Sequence, residues 1–492
     1  VNRVGRALAA FAVSVAALAG CSGDGPARDG QVAWGPCAPA PPGVELDPRQ
    51  ECGSVSVPLD YREPEGRRIS LAVSRIRTAV PEKRHGVLLL IPGGPGSSAL
   101  YRPSTHVKRL PPEVLDRYDI IGFDPRGMAA STPVSCRLGP EDTTLAALRP
   151  WPAPDGDISE NVARARRVAR ACAERGGELV RHISTGNEAR DIDRIRQALG
   201  VERISYWGVS YGTYVGAVYA TMFGEHTDRV VLDSNDDPNP DLVARGWAVN
   251  YSTAIEDRFP DFAAWASARD GEYHLGADPG AVRATFLRLA ARLDREPLPW
   301  PGGGGTLSGN VLRDTMLSAL YSDSGFPKLA GLMRAAQARG PLPAMPSPPE
   351  AELQNSAAVL IATICNDVRW PPPGPEYQGA VARNREAFPL TAGMPVNIFP
   401  CAFWPEPFEP PVRVGAHGPA NVLLVQNLRD PSTPHRGALQ MRAALGERAR
   451  MVSVDSGGHG AYLANGNACG DRTVTEFLVT GTRPDRDILC RG

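Results

Sequence analysis

Ile204-Ser205-Tyr206-Trp207, then Gly208-Val209-Ser210-Tyr211-Gly212, then the small-residue run from Thr213 to Phe223: the reading of this chain turns on these twenty residues. The first four are apolar and β-prone, as in a short buried strand, and the last run is long enough for a helix packed closely on something. Between them the spacing G-x-S-x-G places a serine at a strand-to-helix turn. Glycines on both sides let the backbone take up a strained bend that pushes the hydroxyl out at the end of a sheet. The motif is short and common, so its weight comes from the strand before it and the helix after it. A serine hydroxyl is inert at its own pKa, so a base must come within hydrogen-bond reach.

Outward from this turn the chain alternates strands with helices. Arg68 to Arg77 alternates apolar and polar residues. Val87 to Ile91 is an apolar run stopped by Pro92-Gly93-Gly94-Pro95-Gly96, and Asp119 to Asp124 is a second, stopped by Pro125-Arg126-Gly127. Asn187 to Leu199 carries Ile192, Ile195, Ala198 and Leu199 at helical spacing, and Arg229 to Asp233 reads as a further strand. That rhythm predicts an α/β fold, a doubly wound and mostly parallel sheet with helices on both faces. From about Pro238 to Leu390 the rhythm stops. Helical patterns at Ala281–Leu293, Leu312–Tyr321 and Leu329–Ala338, with no visible strand doublet, predict a mainly helical lid insertion. The sheet then resumes with a strand at Asn421–Gln426, a helix at Pro434–Leu445 and a strand at Arg450–Val454. The expected organisation is a core in two parts, 45–237 and 391–492, with the lid at 238–390 between them.

In such a sheet the acid and the histidine follow the serine in that order. Of eight histidines, His85, His106 and His182 precede Ser210. His226, His274, His417 and His435 sit before a strand, in the insertion or at a helix start. His459 alone follows a late strand, in Asp455-Ser456-Gly457-Gly458-His459-Gly460. The acid should end the strand before that, which selects Asp430 in Gln426-Asn427-Leu428-Arg429-Asp430-Pro431; Asp455 is the nearest rival but lies too close to His459 in sequence to reach Nδ1 easily. Ser210, Asp430 and His459 are the predicted catalytic residues. A tetrahedral oxyanion needs preorganised N–H donors, and the amides of Tyr211 and Gly94, with Gly93 second, are the predicted oxyanion hole.

Composition bounds the rest. At 492 residues, 42% hydrophobic and 22% charged, with a mean hydropathy of −0.23, the chain is an ordinary globular protein of two or three domains. Fifty-three Lys and Arg against 54 Asp and Glu leave a net charge of −1, so no basic field draws it to nucleic acid. Arg3 and Arg6 precede an apolar run, Ala7 to Ala19, that is too short to span a bilayer. The run ends in Leu18-Ala19-Gly20-Cys21, which resembles a lipobox. The expectation is a lipoprotein signal peptide at 1–20, lipidation of Cys21, a tether at 21–44, and a globular part on the extracytoplasmic side of the cell membrane. The eight remaining cysteines then suggest four disulfides. Pairing neighbours, 37–52, 136–172, 365–401 and 469–490, closes modest loops, although 105 connectivities are possible. No cysteine or histidine spacing suggests a metal site.

Gly93-Gly94-Pro95-Gly96-Ser97-Ser98, Gly122-Phe123-Asp124-Pro125-Arg126-Gly127, the Ser210 motif, Arg429-Asp430-Pro431-Ser432-Thr433-Pro434, Gly457-Gly458-His459-Gly460 and Ile364-Cys365-Asn366-Asp367 together resemble the tripeptidyl aminopeptidases of Streptomyces. These are secreted or lipid-anchored, prolyl aminopeptidase-like α/β-hydrolases. With the lipobox, the chain is most similar to the mycelium-associated proteinases of that genus. The resemblance covers nearly the whole mature chain. It implies the Ser210, Asp430, His459 triad, release of short peptides from free N-termini, and no cofactor. The first loop departs from the prolyl aminopeptidases, which often carry a histidine before the two glycines where this chain has Ile91-Pro92. An aminopeptidase must also hold a substrate ammonium. Asp367 is the first candidate and Glu256 the second, with Asp257 and Asp323 behind them. Two rival readings use the same sequence: an esterase or other small-molecule hydrolase, since fold and triad do not set the leaving group, and a non-catalytic surface lipoprotein.

Overall fold

Val87, Leu89 and Ile91 contribute to one hydrophobic core and Leu88 and Leu90 to another, so this strand is buried on both faces, as period-two geometry requires of a strand between two helical layers. The computed structural model describes residues 31–143, 147, 149–303, 305–345 and 348–491. The predicted leader, the Leu18 to Cys21 motif with Cys21 itself, and residues 21–30 of the tether lie outside the described residues. In chain order the strands are β1 (Gly35–Pro36), β2 (Glu51–Pro58), β3 (Arg68–Ile76), β4 (Gly86–Ile91), β5 (Tyr118–Phe123), β6 (Ile204–Ser210) and β7 (Thr227–Asn235). A small hairpin follows, β8 (Leu298–Trp300) and β9 (Gly305–Leu307), and then β10 (Val422–Arg429), β11 (Ala449–Gly457) and β12 (Ile488–Cys490). All but the hairpin form one sheet in the order β1-β2-β3-β5-β4-β6-β7-β10-β11-β12. From β5 to β12 every neighbouring pair is parallel, while β1, β2 and β3 extend the edge antiparallel. This is the doubly wound, mostly parallel sheet of an α/β-hydrolase.

Helices Thr185–Ala198, Tyr211–Met222 and His435–Leu445 cover one face, through residues such as Ile192, Val215 and Met441. Helix Ala468–Thr480 covers the other with Val474, Phe477 and Leu478. Between β7 and β10 the chain forms helices Ala244–Ser267, Pro279–Arg295, Gly309–Ala319 and Phe326–Gln337. These bury a core of their own around Phe259, Phe262, Phe286, Leu317 and Met333. Helix Glu350–Asp367 behaves differently: Ala358, Ile361, Ala362 and Ile364 join the core of the sheet. No helix among the described residues is long and apolar enough to cross a membrane.

The structure differs from the sequence pattern in three places. The insertion does contain a strand doublet, β8–β9, too short and too rich in Pro and Gly to show alternation. Strand β6 runs on to Ser210, because Gly208 and Val209 still pair with Leu232 and Asp233. Helix Glu350–Asp367 carries a continuous apolar run that periodicity alone cannot tell from a strand. Its start is held by Asn355, whose side-chain amide donates to the carbonyls of Gly127 and Val134 at 2.7 Å each.

Four disulfides join Cys37–Cys52, Cys136–Cys172, Cys365–Cys401 and Cys469–Cys490, the neighbour pairing expected from the sequence. Cys365–Cys401 clips the end of helix Glu350–Asp367 to the segment that leads back into β10. Removing this bridge by Cys365→Ala with Cys401→Ala is expected to lower stability by about 2–4 kcal/mol, read as a reduced denaturation midpoint. An unchanged midpoint would mean that packing alone holds the helix in place.

Candidate active site

Ser210 closes β6 with φ +60° and ψ −129°, a conformation that costs an L-residue on the order of 1–3 kcal/mol and persists only when its surroundings impose it. A Cβ on Gly208 would lie 2.3 Å from the Gly212 carbonyl oxygen. One on Gly212 would lie 2.6 Å from the oxygen of Ile91 and 2.8 Å from that of Pro92. Both motif glycines are therefore required by the close approach of helix to strand and loop. The helix starts at Tyr211, so its first amides have no intrahelical acceptor and stand next to the serine. Gly93 packs against Ser210 from the β4 side, since a Cβ there would be 2.9 Å from Ser210 Cβ. Gly94 lines the same cavity as Ser210. The two predicted oxyanion donors, Gly94 and Tyr211, thus flank the serine from two different elements.

Asp430 follows β10 and is 1% exposed. Its Oδ1 accepts the amides of Ser432 at 2.8 Å and Thr433 at 2.9 Å, and its Oδ2 accepts the Thr433 hydroxyl at 3.1 Å. These bonds leave the carboxylate facing His459, whose Nδ1 lies 3.0 Å from both oxygens. The rival Asp455 instead pairs with Arg429 at 2.8 Å. The histidine loop is clamped on every side. Asn427 donates to the carbonyls of Gly458 and Gly460, Ser234 accepts the Gly460 amide, and Asp233 accepts the amides of Ala461 and Tyr462. The His459 amide donates to the Tyr321 carbonyl at 2.8 Å, and the two rings meet edge to face at 4.9 Å. Burial alone would pull the imidazole's pKa down, but Asp430 first, then Asp233 and Asp236, outweigh it and hold the pKa above the ordinary histidine value. Ser210 Oγ has no hydrogen-bond partner among the described residues; such contacts commonly tighten only when substrate is bound.

Ser210 opens onto a cavity of about 390 Å³. The wall is largely apolar and aromatic, with Trp247 and Tyr251 from helix Ala244–Ser267 and Trp370 and Phe399 opposite. Tyr251, Tyr321 and Ser432 join hydroxyls at 2.9–3.0 Å along one side. Two lining residues have an acidic or basic side chain. Arg149 is bound to the buried Asp314 at 2.8 Å, whereas the Asp236 carboxyl has no side-chain partner among the described residues. Burial pushes that carboxyl up to about 8, opposed by His459 and reinforced by Asp430 and Asp237.

The amine-binding candidates are not brought to this cavity. The Asp367 carboxylate accepts the Thr185 amide at 2.7 Å and its hydroxyl at 2.5 Å, and lines a separate cavity of about 40 Å³ beside Arg62 and His182. The reason is position along the helix: Leu360, Ile364 and Asp367 are spaced i, i+4, i+7 and share one side, but Leu360 and Ile364 line the Ser210 cavity, whereas Asp367, the last residue of the helix, lies a turn further on and meets Thr185. Glu256 is ion-paired with Arg283 at 2.7 Å within the insertion. Asp323 pairs with Arg258 at the surface, and Asp257 does not line the cavity. Asp236, Asn427 and Asp233, which surround the site, were not singled out by the sequence. Asp233 and Asn427 read only as strand residues, and nothing in Asn235-Asp236-Asp237 tells which acid turns inward.

A family profile described as "TAP-like protein" matches residues 389–490. The chain is 35% identical over 454 residues to a tripeptidyl aminopeptidase of Streptomyces lividans, covering 89% of this chain and 83% of that one. It is 30% identical over 487 residues to the serine protease Hip1 of Mycobacterium tuberculosis, covering 93% and 91%. It is also 30% identical over 461 residues to carboxylesterase B of the same organism, covering 89% and 86%.

The electrostatics around His459 set a measurable expectation. A histidine acting as base must be neutral, so a raised pKa moves the acid limb of any His459-dependent rate upward. NMR titration of the ring should place its pKa above that of an exposed histidine in the same protein. Asp430→Asn should bring it down, because burial then acts without its main opponent. A pKa unmoved by that substitution would remove Asp430 as the imidazole's partner.

Proposed function

The chain belongs to the tripeptidyl aminopeptidase family and is a serine hydrolase of the peptidase kind; from that premise we propose that it releases short peptides, tripeptides first, from free N-termini, with Ser210, His459 and Asp430 as its catalytic residues. The observation that carries the reading is the strained serine at the floor of a cavity whose wall includes the inserted helices. A pocket of about 390 Å³ suits a small ligand or the end of a chain.

The proposed cycle is acyl transfer. His459 takes the Ser210 proton as Oγ attacks the carbonyl carbon, and Asp430 stabilises the imidazolium that results. The amides of Gly94 and Tyr211 receive the oxyanion, where the positive end of the helix adds to the stabilisation. His459 then gives its proton to the leaving amine, and water, activated by the same imidazole, releases the acyl fragment. Each step uses protein groups and water, so the cycle calls for no cofactor.

We further propose that the mature enzyme is exported and held at the outer side of the cell membrane by lipid on Cys21. Support comes from the charged and apolar leader, the Leu18-Ala19-Gly20-Cys21 motif, and four disulfides that suit an oxidising compartment. A second reading, esterase activity, is favoured by the largely apolar cavity wall and by the resemblance to a carboxylesterase.

The test is hydrolysis of Ala-Ala-Ala-p-nitroanilide beside its N-acetyl twin and a p-nitrophenyl ester. Cleavage of the free peptide alone is expected, with Ser210→Ala slower by about 10⁴-fold or more. Equal cleavage of both peptides would remove the requirement for a free N-terminus, and turnover of the ester alone would favour the esterase. Cys21→Ser is expected to move the protein from the detergent phase to the aqueous phase on detergent partition.

A further inference from the structure

Asp236 is the one acidic side chain among the described residues lining the Ser210 cavity, and no described cation is paired with it. The residue is 6% exposed, yet its side chain makes neither an ion pair nor a hydrogen bond with any described residue. Its backbone is tightly placed. The Asp236 amide donates to Thr213 Oγ1 at 3.0 Å, and that hydroxyl donates to the Ser210 carbonyl at 2.6 Å. Ser210 pairs with Asn235 across β6 and β7, so Asp236 is one residue further along. Strand spacing and rise then put the two Cα atoms on the order of 6 Å apart. Arg149, the basic lining residue, is already committed to Asp314. His459 favours the ionised form of Asp236, while Asp430 and Asp237 disfavour it. An unpaired acid in a cavity with largely apolar and aromatic walls is costly to keep, and the same cavity would bind an incoming organic cation well.

We infer that Asp236 selects the substrate: its carboxylate receives the ammonium or guanidinium of a basic side chain on the residue whose carbonyl Ser210 attacks. The inference rests on the peptidase reading of Ser210. The distance favours that side chain over the N-terminal amine. An extended peptide advances ~3.3–3.6 Å per residue, so the amine of a bound tripeptide lies two residues further from the serine. A lysine or arginine side chain beside the scissile bond can cover the gap directly. Its arrival supplies the counter-charge that the carboxyl lacks and draws Asp236 into its ionised form.

The experiment compares kcat/KM for Ala-Ala-Lys-p-nitroanilide and Ala-Ala-norleucine-p-nitroanilide, which differ by one ammonium, in the native protein and in Asp236→Asn. The same pair is run as p-nitrophenyl esters, so the anchor is read even where amides are not cleaved; ester turnover without amide turnover counts against the peptidase reading instead. Lysine is expected to exceed norleucine by roughly 10- to 100-fold, the ratio to fall close to one in Asp236→Asn, and Asp236→Glu to restore part of it. A ratio unchanged in the Asn variant overturns the inference. So does an equal loss on both substrates with the acid limb moved down, which would mean that Asp236 acts through His459. A drop confined to free against N-acetylated alanine p-nitroanilide would assign the cation to the N-terminal amine and overturn the side-chain assignment. Where the Asn variant does not fold, the native protein decides. Competitive inhibition by hexylammonium well below the concentration needed for hexanol supports the anchor, and equal inhibition overturns it.

Discussion

A serine held at φ +60° between two glycines that cannot carry a side chain is the constraint from which the site follows. The bend is tolerable because the first turn of helix Tyr211–Met222 packs at Gly212 with its backbone nearly touching β6 on one side and the Ile91-Pro92 carbonyls on the other. That contact brings together the two groups an acyl transfer needs most, a hydroxyl facing a cavity and unsatisfied amides beside it. The parallel sheet supplies the rest. Its strands end at one edge, so residues just past β4, β6, β7, β10 and β11 meet there although the chain brings them in from positions over 350 residues apart.

Three acids surround His459, and their different surroundings separate their roles. Asp430 is satisfied by two amides and a hydroxyl, so it stays available as a charged partner for Nδ1. Asp233 spends its oxygens on the amides of Ala461 and Tyr462 and on the Trp207 indole. Burial pushes it up to about 6, against those bonds, and its work is to hold the loop. Asp236 has none of this support. The same residue type on two neighbouring strand ends therefore gives an orienting group, a clamp and an unsupported carboxyl, decided by which backbone amides happen to point at each.

Much of this site was legible because it obeys linear rules. Glycine spacing around Ser210, a late strand before Asp430 and flanking glycines at His459 are local features, and chain order then links them. The cysteine pairs were legible for a similar reason, since each closes a short loop. What was not legible depends on where a helix stops relative to the cavity and on tertiary neighbours. Asp367 looked suitable beside a cysteine near the end of the insertion, but helix Glu350–Asp367 turns Leu360 and Ile364 to the cavity and carries Asp367 to Thr185. Helix Ala244–Ser267 was missed because it buries Asn250, Ser252 and Arg258 along with Phe259 and Phe262, which erases the apolar stripe that would have marked it.

A second set of buried acids lies behind Ser210 and supports the geometry of its turn. The Tyr211 hydroxyl donates to Glu188 at 3.0 Å and meets the Thr185 hydroxyl at 2.8 Å, which is itself bound to Asp367. Burial pushes Glu188 up to about 8 and Asp367 up to about 7, so both are inclined to keep their protons and act as hydrogen-bonding groups rather than as charges. The residue whose amide stands beside Ser210 is thereby fixed through its own side chain from beneath. Asp367, first considered as a substrate contact, belongs to this support. The acid that meets the Ser210 cavity is Asp236, for which no described residue supplies a side-chain partner.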